Sequence, residues 1–97
     1  MNIPTLKFET EEQFTTEMSN NAHDIHLRTL YGIDYAFNTN ADYVTIAIIQ
    51  TDTHESEIGA PEEVWIDNLE KSLDYFEEIE DYTKCQEVVQ LLEKLRK

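Results

Sequence analysis

Tyr43-Val44-Thr45-Ile46-Ala47-Ile48-Ile49 is the stretch on which the fold turns. Apart from Ala47 it is β-branched or aromatic throughout, and it contains neither Gly nor Pro. Such residues suit a pleated, half-buried surface, so the stretch predicts a strand. Just upstream, Ile33, Tyr35 and Phe37 alternate with Asp34, Ala36 and Asn38. Thr39-Asn40-Ala41-Asp42 between them carries turn chemistry. Residues 33–49 therefore predict a central β-hairpin.

Toward the N-terminus, Thr10-Glu11-Glu12-Gln13 forms a capping box, with Thr10 as N-cap and Gln13 reaching back. Phe14, Met18, Ala22 and Ile25 follow at steps of three or four, and Leu27, Leu30 and Tyr31 extend the stripe. Gly32 stands where a C′ glycine belongs. The spacing predicts a helix over residues 10–31, with Ser19-Asn20-Asn21 as the place for a break. Ile3 to Phe8 offers an additional edge strand.

Toward the C-terminus, Asp52 to Ala60 is polar and reads as a loop. Pro61 suits the first position of a helix. Trp65, Leu69, Leu73, Phe76 and Ile79 form one apolar stripe, and Asp81-Tyr82 reads as the turn after it. A last helix bears Cys85, Val88, Val89, Leu92 and Leu95, and its terminal Lys94, Arg96 and Lys97 suit the helix dipole. The expectation is an α+β fold in the order α-β-β-α-α, ending in an antiparallel helical hairpin. Residues 1–97 are read as a single domain, with no internal repeat and no composition break.

Composition bounds the function. Of 97 residues 40% are apolar, enough for one core. Seven Lys and Arg face 21 Asp and Glu, a net charge of −14. Such a chain is repelled by nucleic acids and by anionic membranes, so direct binding to either is not expected. No apolar run reaches membrane-spanning length, and Met1 to Phe8 does not read as a signal peptide. A single cysteine makes no internal disulfide, which points to a reducing, cytoplasmic setting.

The strongest pattern is acidic. Glu63, Asp67, Glu70, Asp74, Glu77 and Asp81 are spaced four, three, four, three and four. On one helix they fall within roughly 40° of a line, with the apolar stripe about 140° away. Glu62, Glu78 and Glu80 flank them. Residues 52–81 hold twelve acids and one base, Lys71. Like charges at i,i+4 oppose a helix by a few tenths of a kcal/mol each. Carboxylates near a helix C-terminus oppose its dipole as well. A costly arrangement without local compensation points to function. A solvated face that aids solubility is the competing explanation.

Other groups carry less. His23 and His26, three apart, could share a metal, but no third ligand is evident and no metal or cofactor is expected. Cys85 sits on an apolar stripe, without the positive setting that activates a thiol. There is no phosphate loop, nucleophile elbow or zinc-protease motif, so an enzyme is not expected. Tyr31, Tyr35, Phe37 and Tyr43 lack interleaved bases, so they read as core or partner contacts rather than base-stacking groups.

Two resemblances add to this. Leu69-Glu70-Lys71, Glu80-Asp81-Tyr82-Thr83-Lys84 and Leu92 resemble the UVR motif, a short helical hairpin of excision-repair proteins and of chaperone-protease adaptors. That resemblance implies an antiparallel helix pair that meets another protein. In size, charge and composition the chain also resembles small acidic early proteins of bacteriophages, some of which inhibit restriction or CRISPR systems by mimicking DNA. The leading expectation is thus a non-enzymatic inhibitor in the host cytoplasm. Glu62, Glu63, Asp67, Glu70, Asp74, Glu77, Glu78, Glu80 and Asp81 would meet a basic nucleic-acid-binding protein. The alternative is an adaptor that docks through the helical hairpin, with Trp65, Tyr75 or Tyr82 as anchors. A homodimer is compatible with either.

Overall fold

A computed structural model of the protein describes residues 3–97. Its elements run β1 (Thr5–Lys7), α1 (Glu11–Asn20), α2 (Ala22–Asn38), β2 (Tyr43–Gln50), β3 (Glu55–Pro61), a 3-10 turn (Glu62–Val64), α3 (Trp65–Glu78) and α4 (Tyr82–Leu95). This is a small α+β domain of four helices and a three-stranded sheet; its order is the expected α-β-β-α-α with the first helix split into α1 and α2 and a short strand in front.

The predicted break in the first helix is real. Thr10 Oγ1 accepts from the Gln13 backbone N–H, while Gln13 Oε1 takes the Glu9 N–H. α1 ends at Asn20, and the Asn21 side chain donates to the Glu17 carbonyl across the break. α2 then continues to Asn38, which corrects the expected strand over residues 33–37. The alternation of Ile33, Tyr35 and Phe37 was misleading, because Ile33 is fully buried while Tyr35 is 72% exposed. The buried set is Thr29, Leu30, Gly32, Ile33 and Ala36, the i, i+3 and i+4 spacing of one helical face. The helix stops one turn later in a Schellman motif, with Asn40 left-handed at φ 61° and the Ala41 N–H bonded to the Ala36 carbonyl.

Gly32 is therefore interior to α2 and caps nothing. Its role is close approach: a Cβ there would stand 2.7 Å from Val44 Cγ1. Helix and strand meet at that point.

The hairpin partner of β2 is the segment expected to be a loop. β3 pairs antiparallel with β2, from Tyr43 opposite Pro61 to Gln50 opposite Glu55. Only Ala60 is fully buried along β3, and Glu55, Ser56 and Glu57 are exposed, so its composition conceals a strand. Charges on an edge strand also discourage pairing with other chains. Pro61 ends this strand rather than opening a helix. A bulge between Thr45 and Ala47 makes Ile46 and Ala47 both buried, where a regular strand would turn one outward. Beside the bulge, Arg28 Nε donates to the Thr45 carbonyl at 2.8 Å.

The expected N-terminal edge strand is present as β1. It pairs parallel with β2, which is central in the order β1-β2-β3, and Leu6 is fully buried. α1 and α2 make the crossover that a parallel pair requires. One core joins Leu30, Ile33, Val44 and Ile46 to Trp65, Leu69, Phe76, Val88 and Leu91.

Candidate functional site

Trp65 fixes the start of α3. It is 1% exposed, and its indole N–H donates to the Ala60 carbonyl at 2.9 Å. Leu69, Ser72 and Phe76 continue the buried side. That leaves Asp67, Glu70, Asp74 and Glu77 on the opposite edge, all exposed. They span ten residues, a rise of about 15 Å along the axis.

The acidic line is shorter than the sequence implies. Glu62 and Glu63 lie in the 3-10 turn before α3. Asp81 lies beyond the helix, and it also has a structural partner. Its carboxylate accepts from the Lys84 backbone N–H at 3.3 Å and caps α4, the favourable end of a helix for an anion. The connection between α3 and α4 is a second Schellman motif, displaced from the expected Asp81-Tyr82 turn. Glu80 is left-handed at φ 61°, its N–H bonds the Glu77 carbonyl, and the Asp81 N–H bonds the Phe76 carbonyl. Tyr82 is already the first residue of α4. Glu62, Glu63, Glu78 and Glu80 are exposed around the four-membered line.

Little of this charge is neutralised. Among the described residues the one ion pair is Arg96 to Glu70 at 3.4 Å, with both side chains about half exposed (52% and 53%). Such a pair contributes about 0–1 kcal/mol. It also ties the end of α4 to the middle of α3, as expected for an antiparallel pair. Elsewhere Glu57 accepts from Tyr43 and Thr45, and Glu55 accepts from Gln50. A hydrogen bond to Asp52 raises the Glu9 carboxyl above its ordinary pKa.

The histidines serve a different purpose from the one their spacing suggests. His26 Nδ1 is 2.8 Å from Ser72 Oγ, and its ring stacks on Tyr75 with centroids 4.4 Å apart. His23 Nδ1 is 3.3 Å from the Tyr75 hydroxyl. Burial, with a smaller effect of His23, lowers the His26 pKa. Burial raises the Cys85 thiol, and Glu77 and Asp81 push it the same way, opposite to what a nucleophile needs.

The three proposed anchors separate. Trp65 is core and unavailable to a partner. Tyr75 is half-buried against His26. Tyr82 is 66% exposed. Tyr35, read from the sequence as a core or partner contact on a strand, is 72% exposed on α2 and so is not core. Sequence reasoning missed a cleft lined by His26, Asn68, Lys71 and Ser72. Ser72, a polar residue within a buried helical side, was the available signal for it.

Comparison with protein-family models, curated proteins and solved structures gives no match to this chain. Among the described residues no helix is long and apolar enough to cross a membrane.

Proposed function

We propose that the protein is a non-enzymatic acidic inhibitor that occupies the nucleic-acid-binding surface of a basic host or defence protein. The supporting observation is the exposed line Asp67, Glu70, Asp74 and Glu77, in which Glu70 alone has a cationic partner among the described residues. Neighbours on the line are about 4.5–6 Å apart along the axis. A DNA strand presents one charge per ~3.4 Å, and Glu62, Glu63, Glu78 and Glu80 bring the local density closer to that value. A groove of Lys and Arg built for phosphates meets carboxylates instead, with fast electrostatic steering and release of counterions. No bond is made or broken. A phage origin fits the resemblance in size and charge.

The test is a binding titration against a basic DNA-binding protein at increasing salt, with duplex DNA as competitor. The expected result is mutually exclusive binding that weakens steeply with ionic strength. Salt-independent affinity, or a ternary complex with DNA still bound, overturns the reading.

The second reading is an adaptor. It is favoured by the exposure of Ile79 and Tyr82 at the same end of the α3–α4 hairpin. In that case Tyr82→Ala abolishes binding with the fold intact, and charge reversal on α3 is tolerated.

A further inference from the structure

Between about 80° (Lys71) and 180° (Ser72) around α3 from the middle of the acidic line, the helix borders a partly open cleft. The cleft lies between α2, the β2–β3 hairpin and α3, and its volume is about 430 Å³. Small-molecule sites commonly measure about 300–1,000 Å³. Ile46, Ile58 and Val64 give it an apolar wall.

Three polar groups stand at that wall, and their states differ. Ser72 is fully buried, and among the described residues its hydroxyl has one partner, His26 Nδ1. The ring of His26 and the Ser72 hydroxyl thus satisfy each other, whichever of the two carries the shared proton. Asn68 makes no side-chain hydrogen bond among the described residues. Lys71 is the one base within residues 52–81. It stands four residues after Asp67 and three before Asp74, the spacings at which helical ion pairs form. Among the described residues it pairs with neither, and it borders the cleft.

We propose that this cleft binds a small carboxylic acid with an apolar body. The carboxylate is held by the Lys71 ammonium and the Asn68 amide, and the tail lies on Ile46, Ile58 and Val64. Charge-assisted hydrogen bonds favour an anion at Lys71 over a neutral group of equal size. The tail gains by leaving water. The net charge of −14 opposes any anion at long range. At physiological salt that opposition is screened beyond about 8 Å. The site lies on a different edge of α3 from the acidic line, so its failure leaves the proposed function standing.

The experiment is a methyl-detected NMR titration of the full chain with sodium octanoate, with 1-octanol and octylammonium as comparisons. Octanoate is expected to shift the Ile46, Ile58 and Val64 methyl resonances saturably. Lys71→Met lowers its affinity about tenfold, the scale of a hydrogen bond to a charged group. Asn68→Leu weakens it in the same direction, and Lys71→Arg retains it. Octanol binds more weakly than octanoate and does not respond to Lys71→Met. Lys71 is exposed, so its variants keep the fold, which circular dichroism checks. The proposal is overturned if those methyls show no saturable shift. It is equally overturned if the shifts centre instead on a second groove, lined by Tyr31 and Asp34 of α2 and by Glu87 and Lys94 of α4, or if octanol or octylammonium binds as tightly as octanoate.

Discussion

Ser72 Oγ and His26 Nδ1 stand 2.8 Å apart and join α3 to α2 across 46 residues of chain. Ser72 is fully buried, so its hydroxyl depends on that ring. A buried hydroxyl without a partner costs about 1–3 kcal/mol.

The bond makes stability depend on pH. Burial lowers the His26 pKa from its ordinary 6.5, so the folded ring resists a proton that the unfolded chain accepts. The contribution of neutral His26 is complete above pH 6.5 and declines as pH falls from there toward the lower folded value. Free carboxyl groups in model peptides titrate near pH 4, below most of this window; Glu9, raised by its hydrogen bond to Asp52, lies on an exposed segment far in sequence from His26. The melting temperature should fall between pH 7.5 and 5.5. His26→Asn, whose amide can still hydrogen-bond Ser72 in either direction, should flatten that dependence. An equal slope in both proteins would remove His26 as its source.

Charge on α3 should act collectively. Replacing Asp67, Asp74 and Glu77 together by Lys is expected to abolish binding to a basic partner and preserve the circular dichroism spectrum. This set spares Glu70, which holds Arg96. Single neutral changes such as Asp74→Asn should matter little, since one exposed contact contributes about 0–1 kcal/mol. Competition binding measures both. A triple variant that still binds at full strength contradicts the mimic reading.

The turn between α3 and α4 separates two acids that adjoin in sequence. Glu80 adopts a left-handed conformation that an L-residue adopts at a cost of about 1–2 kcal/mol. Glycine avoids that cost but loses more entropy on folding, so Glu80→Gly should stabilise by roughly 0.5–1 kcal/mol. Asp81 caps α4, so Asp81→Ala should destabilise by about 1 kcal/mol. Chemical denaturation of both variants reads the opposite signs. Matching signs would mean that the turn differs from this geometry.

Gly32 should resist the usual rule for helices. Gly→Ala inside a helix ordinarily stabilises by about 1 kcal/mol. Here the new methyl meets Val44 Cγ1 at 2.7 Å, against a stiff β-branched side chain. Gly32→Ala should therefore lower the melting temperature. A stabilised variant would show that α2 and β2 part readily.

Several elements were legible because they depend on neighbours in the chain. The caps at Thr10, the break at Ser19-Asn20-Asn21, the strand at Tyr43–Ile49 and the amphipathic α3 all follow from local periodicity and local hydrogen bonds. The exposed edge of α3 was legible for the same reason. Once Trp65, Leu69 and Phe76 face inward, helix geometry turns Asp67, Glu70, Asp74 and Glu77 outward.

What sequence alone determined, then, is the α+β class, the places of β2, α3 and α4, the buried face of α3 and the excess of negative charge. Tertiary structure decided the rest. Residues 33–37 fit either period, and packing of Leu30, Ile33 and Ala36 in the core selected the helix. β3 has too few apolar residues to identify itself, and its backbone is ordered by hydrogen bonds to β2. Asp81 looked like one more rung of the ladder until the chain reversed at Glu80 and made it a cap. The bond between His26 and Ser72 and the cleft at Lys71 arise only when α2, α3 and the sheet are brought together. Local rules act over three or four residues. Each of these features depends on contacts that close only when distant segments pack, so no short window of sequence contains them.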